Sequence, residues 1–368
     1  MPSRPVLPPI VHASTFAFDS MDEMADATRD GGAPLYSRWS NPTVDAVERR
    51  LAALDGAERA LLVGSGMAAL HLALWAALEG GGPLLVQEEV YGGTHELVSR
   101  VLSRVAVVHR APLDGLVAAA AALPPGAVIH TEAPTNPTLR LPDLRALRAA
   151  APAAFLVCDA TMATPVNYRP LALGADAVVH AATKGLGGHH DLLAGVVAGR
   201  ADFMARAWAL RKTFGPTLDP AAAARLDRGL ATLELRVAHQ NASATQLAAA
   251  LAGHPRVRAV HHPSLPGHPD AALVARDLRG PGGVLSIELE SAAAAAAVVD
   301  RVRCFERGAS FGGVSALITH PAGVTHRGLD AAAQERAGAR PGLLRLSVGV
   351  EPAELLWADL RHALDGLR

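Results

Sequence analysis

The chain has 368 residues, of which 50% are hydrophobic and 19% charged, a composition typical of a well-packed globular protein. Its length exceeds one ordinary core, so we expect a large domain and a smaller one. The net charge of -1 argues against nucleic acid or an anionic membrane as partner, and the 16 histidines lack metal-ligand spacing. Two cysteines and a start without an apolar segment predict a cytoplasmic protein with no signal peptide and no membrane span.

Residues 1–44 contain several prolines and no sustained periodicity, which predicts an extended arm that packs on something else. Within this arm, Tyr36 and Arg38 belong to a polar and aromatic cluster. The guanidinium fork of Arg38 could grip a phosphate, although an ordinary loop is the alternative. From Val44 to Leu54 apolar residues recur at helical spacing, so a helix is predicted there.

A short buried strand is predicted at 60–63, and it runs into Ser65-Gly66-Met67 and a helical pattern. Strand, glycine turn and helix together direct free backbone N–H groups at an anion. The next predicted strand is followed by Tyr91, whose ring could stack on a planar cofactor. A buried structural tyrosine is the alternative.

The same pattern of strand and turn repeats downstream. A strand at 127–131 leads to Asn136, and the apolar strand at 155–158 ends in Asp159. A carboxylate at the end of a buried strand needs a positive partner, and a protonated pyridine nitrogen would be one. Strands alternating with helices predict a mostly parallel sheet whose ligands bind at the carboxyl ends of the strands.

Lys184 follows a predicted strand at 177–181 and is surrounded by small residues and glycines. Most lysines are solvated surface charges. Here, however, no other charged residue lies between Asp176 and Asp191. A desolvated lysine loses proton affinity and can form a Schiff base with a carbonyl or with pyridoxal phosphate (PLP). Four candidate residues fall at predicted strand ends: Gly66, Asn136, Asp159 and Lys184.

The C-terminal part is predicted to contain a long helix over 225–252 and a surface segment over 253–282. A half-buried strand is predicted at 284–290, a helix at 292–299 and an apolar strand at 343–349 that buries Arg345. A charge in that position needs an anion, which is either a substrate carboxylate or an internal salt-bridge partner.

The chain resembles the Cys/Met-metabolism family of PLP enzymes, which includes cystathionine gamma-synthase, the cystathionine lyases, methionine gamma-lyase and the homoserine sulfhydrylases. The resemblance covers essentially the whole chain. It is carried by Tyr36-Ser37-Arg38, Asn41-Pro42-Thr43, Ser65-Gly66-Met67-Ala68-Ala69, Tyr91-Gly92-Gly93-Thr94, Asn136-Pro137, Asp159, Ala182-Thr183-Lys184, Gly188-His189 and Arg345-Leu346-Ser347-Val348-Gly349.

The resemblance implies the PLP-dependent transferase fold type I, an α/β fold. We therefore expect an arm at 1–44 that reaches the neighbouring subunit, a large PLP-binding domain with a mostly parallel sheet at 45–226, and a smaller α+β C-terminal domain at 227–368. The resemblance also implies a homotetramer built from two catalytic dimers, with active sites shared across each dimer.

Residue roles follow from the same resemblance. Lys184 would hold PLP and move protons on the substrate, Asp159 would keep the pyridine nitrogen protonated, and Tyr91 would stack on the ring. The remaining cofactor-binding residues would be Ser65, Gly66, Met67, Thr161, Thr183 and, from the neighbouring subunit, Tyr36 and Arg38. The residues facing the amino-acid substrate would be Asn136, Arg345, Ser310, Glu96 and Ser315.

The chain departs from the family pattern at four positions. Ala181 stands where Ser is usual, which removes one hydroxyl from the phosphate site. Glu96 stands where enzymes acting on cystathionine have Arg, and Ser315 where they have Glu. Both charges for the far end of that doubly zwitterionic substrate are therefore changed. Gly93 stands where methionine specialists carry Cys.

The resemblance predicts a cystathionine gamma-lyase-like enzyme. It would eliminate the gamma or beta substituent of a sulfur-containing or otherwise gamma-substituted L-amino acid and release a 2-oxo acid and ammonia. The alternative is a gamma-replacement synthase of the cystathionine gamma-synthase or homoserine sulfhydrylase type. A less favoured hypothesis is a PLP-binding regulatory protein without catalysis.

Overall fold

The computed structural model describes residues 5–29 and 32–367. The other residues of the predicted arm, 1–4 and 30–31, lie outside the described residues. Within the rest of the arm, a short helix whose N-terminus is capped by Ser20 departs from the extended conformation predicted from the sequence. Tyr36 pairs with Thr15 in an isolated bridge, and the N–H of Val11 donates to Thr43 Oγ1 over 2.9 Å. The arm therefore makes contacts within its own chain.

Helices and strands alternate along most of the described chain. The helices are α1 (Met21–Asp26), α2 (Pro42–Asp55), α3 (Gly66–Leu78), α4 (Gly92–Arg100), α5 (Leu116–Ala121), α6 (Leu144–Ala150), α7 (Thr164–Asn167), α8 (Ala201–Phe214), α9 (Pro220–Leu230), α10 (Leu233–Ala252), α11 (Ala271–Asp277), α12 (Ala292–Arg301), α13 (Ala331–Arg336) and α14 (Ala353–Asp365). The strands are β1 (Arg59–Val63), β2 (Leu84–Gln87), β3 (Val108–Ala111), β4 (Val128–Glu132), β5 (Phe155–Asp159), β6 (Ala177–His180), β7 (Gly195–Gly199), β8 (Ala259–His261), β9 (Val284–Glu288), β10 (Glu306–Arg307), β11 (Leu317–Thr319) and β12 (Leu343–Ser347). Short 3-10 turns occupy Leu102–Arg104, Leu113–Gly115 and Pro170–Leu173.

The first seven strands form one sheet in the order β1-β7-β6-β5-β4-β2-β3. Strands β2 to β6 are parallel, whereas β7 runs antiparallel to both of its neighbours. Four central strands, β2, β4, β6 and β7, are buried at every residue, as expected where helices cover both faces. A separate apolar core cluster lies on each face. The predicted mostly parallel sheet is confirmed.

The register of this sheet brings polar residues together at its carboxyl edge. Glu132, the last residue of β4, is the Cα partner of Asp159, the last residue of β5. The neighbouring strand β6 ends at His180, and the turn after it leads to Lys184. Adjacent parallel strands therefore deliver two carboxylates and one lysine to one edge of the sheet, which is where α/β folds bind ligands.

The long helix predicted over 225–252 is wrong, because the structure contains two helices, α9 and α10, separated at 231–232. Gly229, near the end of α9, contacts the loop that follows Lys184. A Cβ at this position would lie 2.3 Å from the carbonyl oxygen of Gly187, so the end of α9 packs directly on the loop that follows Lys184. Arg236 then donates from Nη2 to the carbonyl of Gly229 and from Nη1 to that of Gly185. These contacts anchor the loop that follows Lys184.

The last five strands form a second sheet in the order β10-β11-β12-β9-β8, antiparallel except for β10 and β11. Helices α10, α12 and α14 contribute to the apolar cluster that covers it. The predicted strands around 284 and 343 pair with each other as β9 and β12.

The predicted domain boundaries at 44/45 and 226/227 stay a prediction. No helix in the described ranges is both long and apolar enough to cross a bilayer.

Candidate active site

A cavity of about 200 Å³ opens at the carboxyl edge of the large sheet. Its walls come from both sheets, because Asp159 ends β5 while Arg345 lies on β12. The cavity contains most of the residues predicted from the sequence. The residues that line it are Ser65, Gly66, Met67, Leu70, Tyr91, Thr94, Glu132, Asn136, Asp159, Thr161, Met162, Ala181, Thr183, Lys184, Leu193, Ala309, Phe311, Thr325 and Arg345.

Lys184 projects from the turn after β6 into this cavity. Its Nζ donates to Ser310 Oγ over 2.9 Å and lies 5.1 Å from the centroid of the Phe311 ring. Burial, and secondarily the nearby Arg345 guanidinium, lower the pKa of Lys184 to about 8. A substantial fraction of the amine is therefore neutral, and hence nucleophilic, close to neutral pH.

Asp159 is held in a fixed orientation by Thr161. The N–H and Oγ1 of Thr161 both donate to Asp159 Oδ1, over 2.9 and 2.5 Å, and Thr161 Oγ1 accepts from the N–H of Ala181 over 2.8 Å. Neither of the two bonds from Thr161 reaches Asp159 Oδ2. Burial raises the pKa of Asp159, while the Thr161 hydrogen bonds oppose that shift. A positive group at Oδ2 would keep this carboxylate ionised.

The start of α3 forms a cradle of backbone N–H groups. Ser65 caps the helix, its Oγ accepting from the N–H of Ala68 over 3.1 Å. The N–H groups of Gly66 and Met67 lie in the first turn, where no intrahelical acceptor exists. A Cβ on Gly66 would lie only 2.4 Å from the Cβ of Ala181, so glycine is required for this close approach. The cradle is suited to an anion such as a phosphate.

The hydroxyl of Thr183, predicted to bind the same anion, is engaged with the backbone of Ala194. It donates to the carbonyl over 3.2 Å and accepts from the N–H over 3.0 Å. Thr183 lines the cavity, but this exchange pins the lysine turn to the segment before β7. The structure therefore gives Thr183 a positioning contact in addition to its predicted role.

Tyr91 lies at the N-terminus of α4, with its ring exposed to the cavity. Its N–H donates to Glu132 Oε2 over 2.8 Å. A Cβ on Gly93 would lie 2.6 Å from Tyr91 Cε1 and 3.0 Å from Met67 Sδ. Glycine at position 93 therefore leaves room for the ring in its present position, which a larger residue would displace.

Arg345 is the deepest cation of the site, with only 2% of its surface exposed. It donates from Nη1 to Asn136 Oδ1 over 3.0 Å and from Nη2 to the carbonyl of Ser310 over 3.1 Å. Within the described chain its Nε has no hydrogen-bond partner. Burial lowers the pKa of Arg345 to about 10, and Glu132 opposes this shift. A buried cation with a free donor is suited to a carboxylate.

Glu132 belongs to the site, although the sequence analysis did not single it out. Burial and the neighbouring Asp159 raise the pKa of Glu132 well above its usual range, and Arg345 partly offsets this. The available signal was its position directly after a predicted strand, in the same place as Asp159. Only the register of β4 against β5 shows that the two carboxylates are neighbours.

Three residues expected to face the substrate are not among those that line the cavity. Glu96 lies on an exposed face of α4 and pairs with Arg100, one turn further along, over 3.1 Å. Ser315 lies in a loop between two held residues. The carbonyl of Val314 accepts from the N–H of Val350, and the N–H of Ala316 donates to the carboxylate of Glu351. The third such residue, Ser310, does contact Lys184.

Tyr36 and Arg38 also lie outside the cavity of their own chain. Arg38 donates from Nη1 to the carbonyl oxygen of Lys212, and its guanidinium lies 5.4 Å from the Tyr36 ring. The neighbouring Trp39 meets Trp208 edge to face. The arm, expected to reach another subunit, is thus anchored on α8 by these contacts.

Comparison with known proteins supports the same chemistry. A family model described as Cys/Met metabolism PLP-dependent enzyme matches residues 2–365. L-methionine gamma-lyase of Pseudomonas deceptionensis is 36% identical over 98% of this chain and 93% of its own length. Cystathionine gamma-synthase 1, chloroplastic, of Arabidopsis thaliana is 36% identical over 98% of this chain, which spans 65% of that relative.

A solved structure agrees with the sequence comparison. A structure from Campylobacter jejuni subsp. jejuni NCTC 11168, which contains N'-pyridoxyl-lysine-5'-monophosphate, has a TM-score of 0.94 and 26% identity and covers 99% of this chain and 96% of its own. The family match over nearly the whole chain confirms both the predicted resemblance and PLP as the cofactor. This chain belongs to the Cys/Met metabolism family of PLP-dependent enzymes.

Proposed function

We propose that this protein is a PLP-dependent lyase that eliminates the gamma or beta substituent of an L-amino acid and releases a 2-oxo acid and ammonia. The observation that carries the proposal is the pair of cations, the half-buried Lys184 and the buried Arg345, which share contacts with Ser310 in one cavity. One has a pKa lowered to about 8 and can exchange protons, whereas the other stays charged and can bind a carboxylate.

The residues of the cavity fit the cofactor. The N–H groups of Gly66 and Met67 would hold its phosphate, Asp159 its pyridine nitrogen and Lys184 its carbonyl carbon, while the Tyr91 ring would lie against its face. When bound, PLP supplies an electron sink for the negative charge that develops on the substrate Cα. The support for Asp159 is that both Thr161 bonds go to Oδ1 and leave Oδ2 for the nitrogen.

The chain's own residues would then act in sequence. Arg345 binds the substrate carboxylate through its free Nε, and Asn136 keeps the guanidinium in place. The neutral Nζ of Lys184 takes the proton from Cα and later returns a proton to the carbon or to the leaving group. Ser310 Oγ, 2.9 Å from Nζ, keeps the amine directed into the cavity.

Gamma-replacement is the second candidate, because it needs the same residues up to the departure of the substituent. The two reactions form different final products, so incubation with L-methionine and with O-acetyl-L-homoserine distinguishes them. We expect steady release of 2-oxo acid without added thiol. Substrate consumption that requires a thiol would support the synthase, and no consumption of either substrate, with or without thiol, would support the non-catalytic hypothesis.

We further propose a cytoplasmic homotetramer of two catalytic dimers, in which Tyr36 and Arg38 of one subunit reach the phosphate of the next. The exposed ring of Tyr36 supports this proposal. The two cysteines, Cys158 and Cys304, are unpaired, as expected in a reducing compartment. Sedimentation analysis should give a single tetrameric species. If the arm completes the site of the neighbouring subunit, Arg38→Ala should weaken PLP binding.

A further inference from the structure

The charged side chains that line the cavity all have assigned partners or roles. They are Glu132, Asp159, Lys184 and Arg345. Glu132 accepts from the N–H of Tyr91, and Asp159 accepts from Thr161. Under the function proposed above, Arg345 takes the substrate carboxylate and Lys184 acts at Cα. No other charged side chain lines the cavity within the described chain, and Arg38, proposed to come from the neighbouring subunit, is assigned to the phosphate.

The remaining surface is an apolar wall, which we define as Met67, Leu70, Leu193, Ala309 and Phe311. The other lining residues without an assigned role are Thr94, Thr325, Met162 and Ala181, none of which is charged. With its carboxylate at Arg345 and its Cα at Lys184, a bound amino acid has this wall as the surface for its side chain. Burying an unpaired charge there is unfavourable.

Phe311 is a part of the wall that lies next to both cations. Its ring centroid lies 5.1 Å from Lys184 Nζ and 5.1 Å from Arg345 Cζ. The backbone next to Phe311 is held in place because the N–H of Gly312 donates to Ser347 Oγ over 2.9 Å, and a Cβ on Gly312 would lie 2.7 Å from the N atom of Gly185. Phe311 therefore covers both cations with an apolar surface and shields a distal substrate group from them.

We infer that the substrates of this enzyme carry an uncharged, apolar group beyond Cβ, such as a thioether, and that Phe311 is the residue that sets this preference. The inference rests on the proposed elimination reaction. Glu96 does not supply a counter-charge for a cationic distal end, because it points outwards and pairs with Arg100. A second amino-carboxylate group, as in cystathionine, would meet the apolar wall unpaired.

Three unreactive amino acids of similar length separate the possibilities: norleucine with a neutral end, 2-aminoadipate with an anionic end and lysine with a cationic end. We expect calorimetry with the PLP-loaded protein to give a Kd for norleucine at least about tenfold below that of the other two. A negative heat-capacity change for norleucine would accompany burial on the wall. Equal or tighter binding of either charged probe would overturn the inference.

Single substitutions test which residues set the preference for an apolar distal group. Phe311→Leu uncovers both cations and should reduce the preference for norleucine over 2-aminoadipate by about three- to tenfold. Leu193→Arg, at a wall position that is 68% exposed, should improve 2-aminoadipate binding relative to norleucine. The matched control is Leu235→Arg, 75% exposed on α10 and outside the cavity lining, which should leave both affinities unchanged. An unchanged ratio in Phe311→Leu would remove the role of Phe311.

This inference and the proposed function fail in different ways. Release of 2-oxo acid from cystathionine faster than from L-methionine would leave the lyase function intact and overturn the apolar preference. Conversely, if no amino acid yields 2-oxo acid while norleucine still binds best, the elimination reaction is wrong and the cavity preference stands.

Discussion

At the scale of single residues, the site depends on how Lys184 is kept partly neutral. Burial removes water from the ammonium, and the positive charge of Arg345 adds to the effect. The hydrogen bond to Ser310 Oγ directs the amine without adding a counter-charge. The pKa of about 8 therefore results from an environment that disfavours the charged form, as required of a group that must both attack a carbonyl and exchange protons.

The first prediction concerns the pH dependence of this amine in the cofactor-free protein. Below pH 8 the protonated, unreactive form of Lys184 predominates, so the rate of its reaction with PLP should fall as the pH drops and be half-maximal near pH 8. Arg345→Gln removes the neighbouring positive charge and should move the midpoint upwards. Stopped-flow absorbance checks both values, and a midpoint near the ordinary 10.5 would contradict the account.

Most of the residues around Lys184 could be predicted from the sequence, because each lies in or at the end of an apolar strand and carries a polar or charged group that needs a partner there. Asp159 and Arg345 are examples. The contact of Phe311 with both cations could not be predicted this way, because an aromatic residue in a glycine-rich loop gives no indication of what it faces. The outward direction of Glu96 was equally inaccessible, since the face of α4 it occupies is set by packing.

At the scale of elements, the cradle depends on how closely α3 approaches the end of β6. A Cβ on Gly66 would lie 2.4 Å from Ala181 Cβ and 2.8 Å from its Cα. These distances are too short for any side chain, so the first turn of α3 can sit against the lysine turn only with glycine at this position. Ala181, where the family usually has Ser, faces the same contact.

Gly66→Ala should therefore force α3 away from β6. We expect PLP affinity to fall at least about tenfold and the free energy of unfolding of the cofactor-free protein to fall by about 1–3 kcal/mol. Gly80→Ala, just after α3, is the control, because a Cβ there meets nothing within 4 Å. Urea denaturation and PLP titration measure both variants, and equal values for the two would refute the steric explanation.

Most strands with apolar runs were predicted correctly, whereas β3, β7, β8, β10 and β11 were not predicted. β3 contains His109 and Arg110 at the edge of the sheet, so its composition resembles a loop. β7 is a five-residue strand bounded by Gly195 and Gly199, and glycine has no strand preference of its own. Both strands form because neighbouring strands supply their hydrogen bonds, which is tertiary information.

At the scale of the whole molecule, ion pairs tie the segment around α11 to the large sheet's helices and loops. Asp270 is the centre of one group and accepts from Arg140 Nε over 2.7 Å, from Arg140 Nη2 over 3.0 Å and from the N–H of Leu141 over 2.8 Å. Arg140 also pairs with Asp114 over 2.8 Å. The segment predicted to wind over the surface is thus held in place.

The two partners of Arg140 should differ in their contribution to stability. Asp270, with a side chain only 10% exposed, has three charge-assisted bonds, so Asp270→Asn should lower the free energy of unfolding by about 1–3 kcal/mol. The side chain of Asp114 is 79% exposed, and Asp114→Asn should stay within about 0.5 kcal/mol of the wild type. Urea titrations compare them, and a larger effect for Asp114 would contradict the burial argument.

The division into two sheets was predictable, but the contacts that join them at the site were not. Lys184 and Ser310 are 126 residues apart, and Asn136 and Arg345 are 209 apart. Local patterns determine that a strand or turn forms, while the register of distant segments depends on packing. For this reason the residues of the cavity could be named from the sequence while their partners could not.

Whether Lys184 carries the cofactor can be tested directly, because the sequence contains only one other lysine, Lys212. Lys212 lies against the Trp39 and Trp208 rings, 4.5 and 4.6 Å from their centroids. Borohydride reduction of the PLP-loaded protein, followed by peptide mass spectrometry, should place the pyridoxyl group on Lys184. Lys184→Arg should abolish the label and Lys212→Arg should not. A label on Lys212 or on the terminal amine, with Lys184 unmodified, would contradict the account.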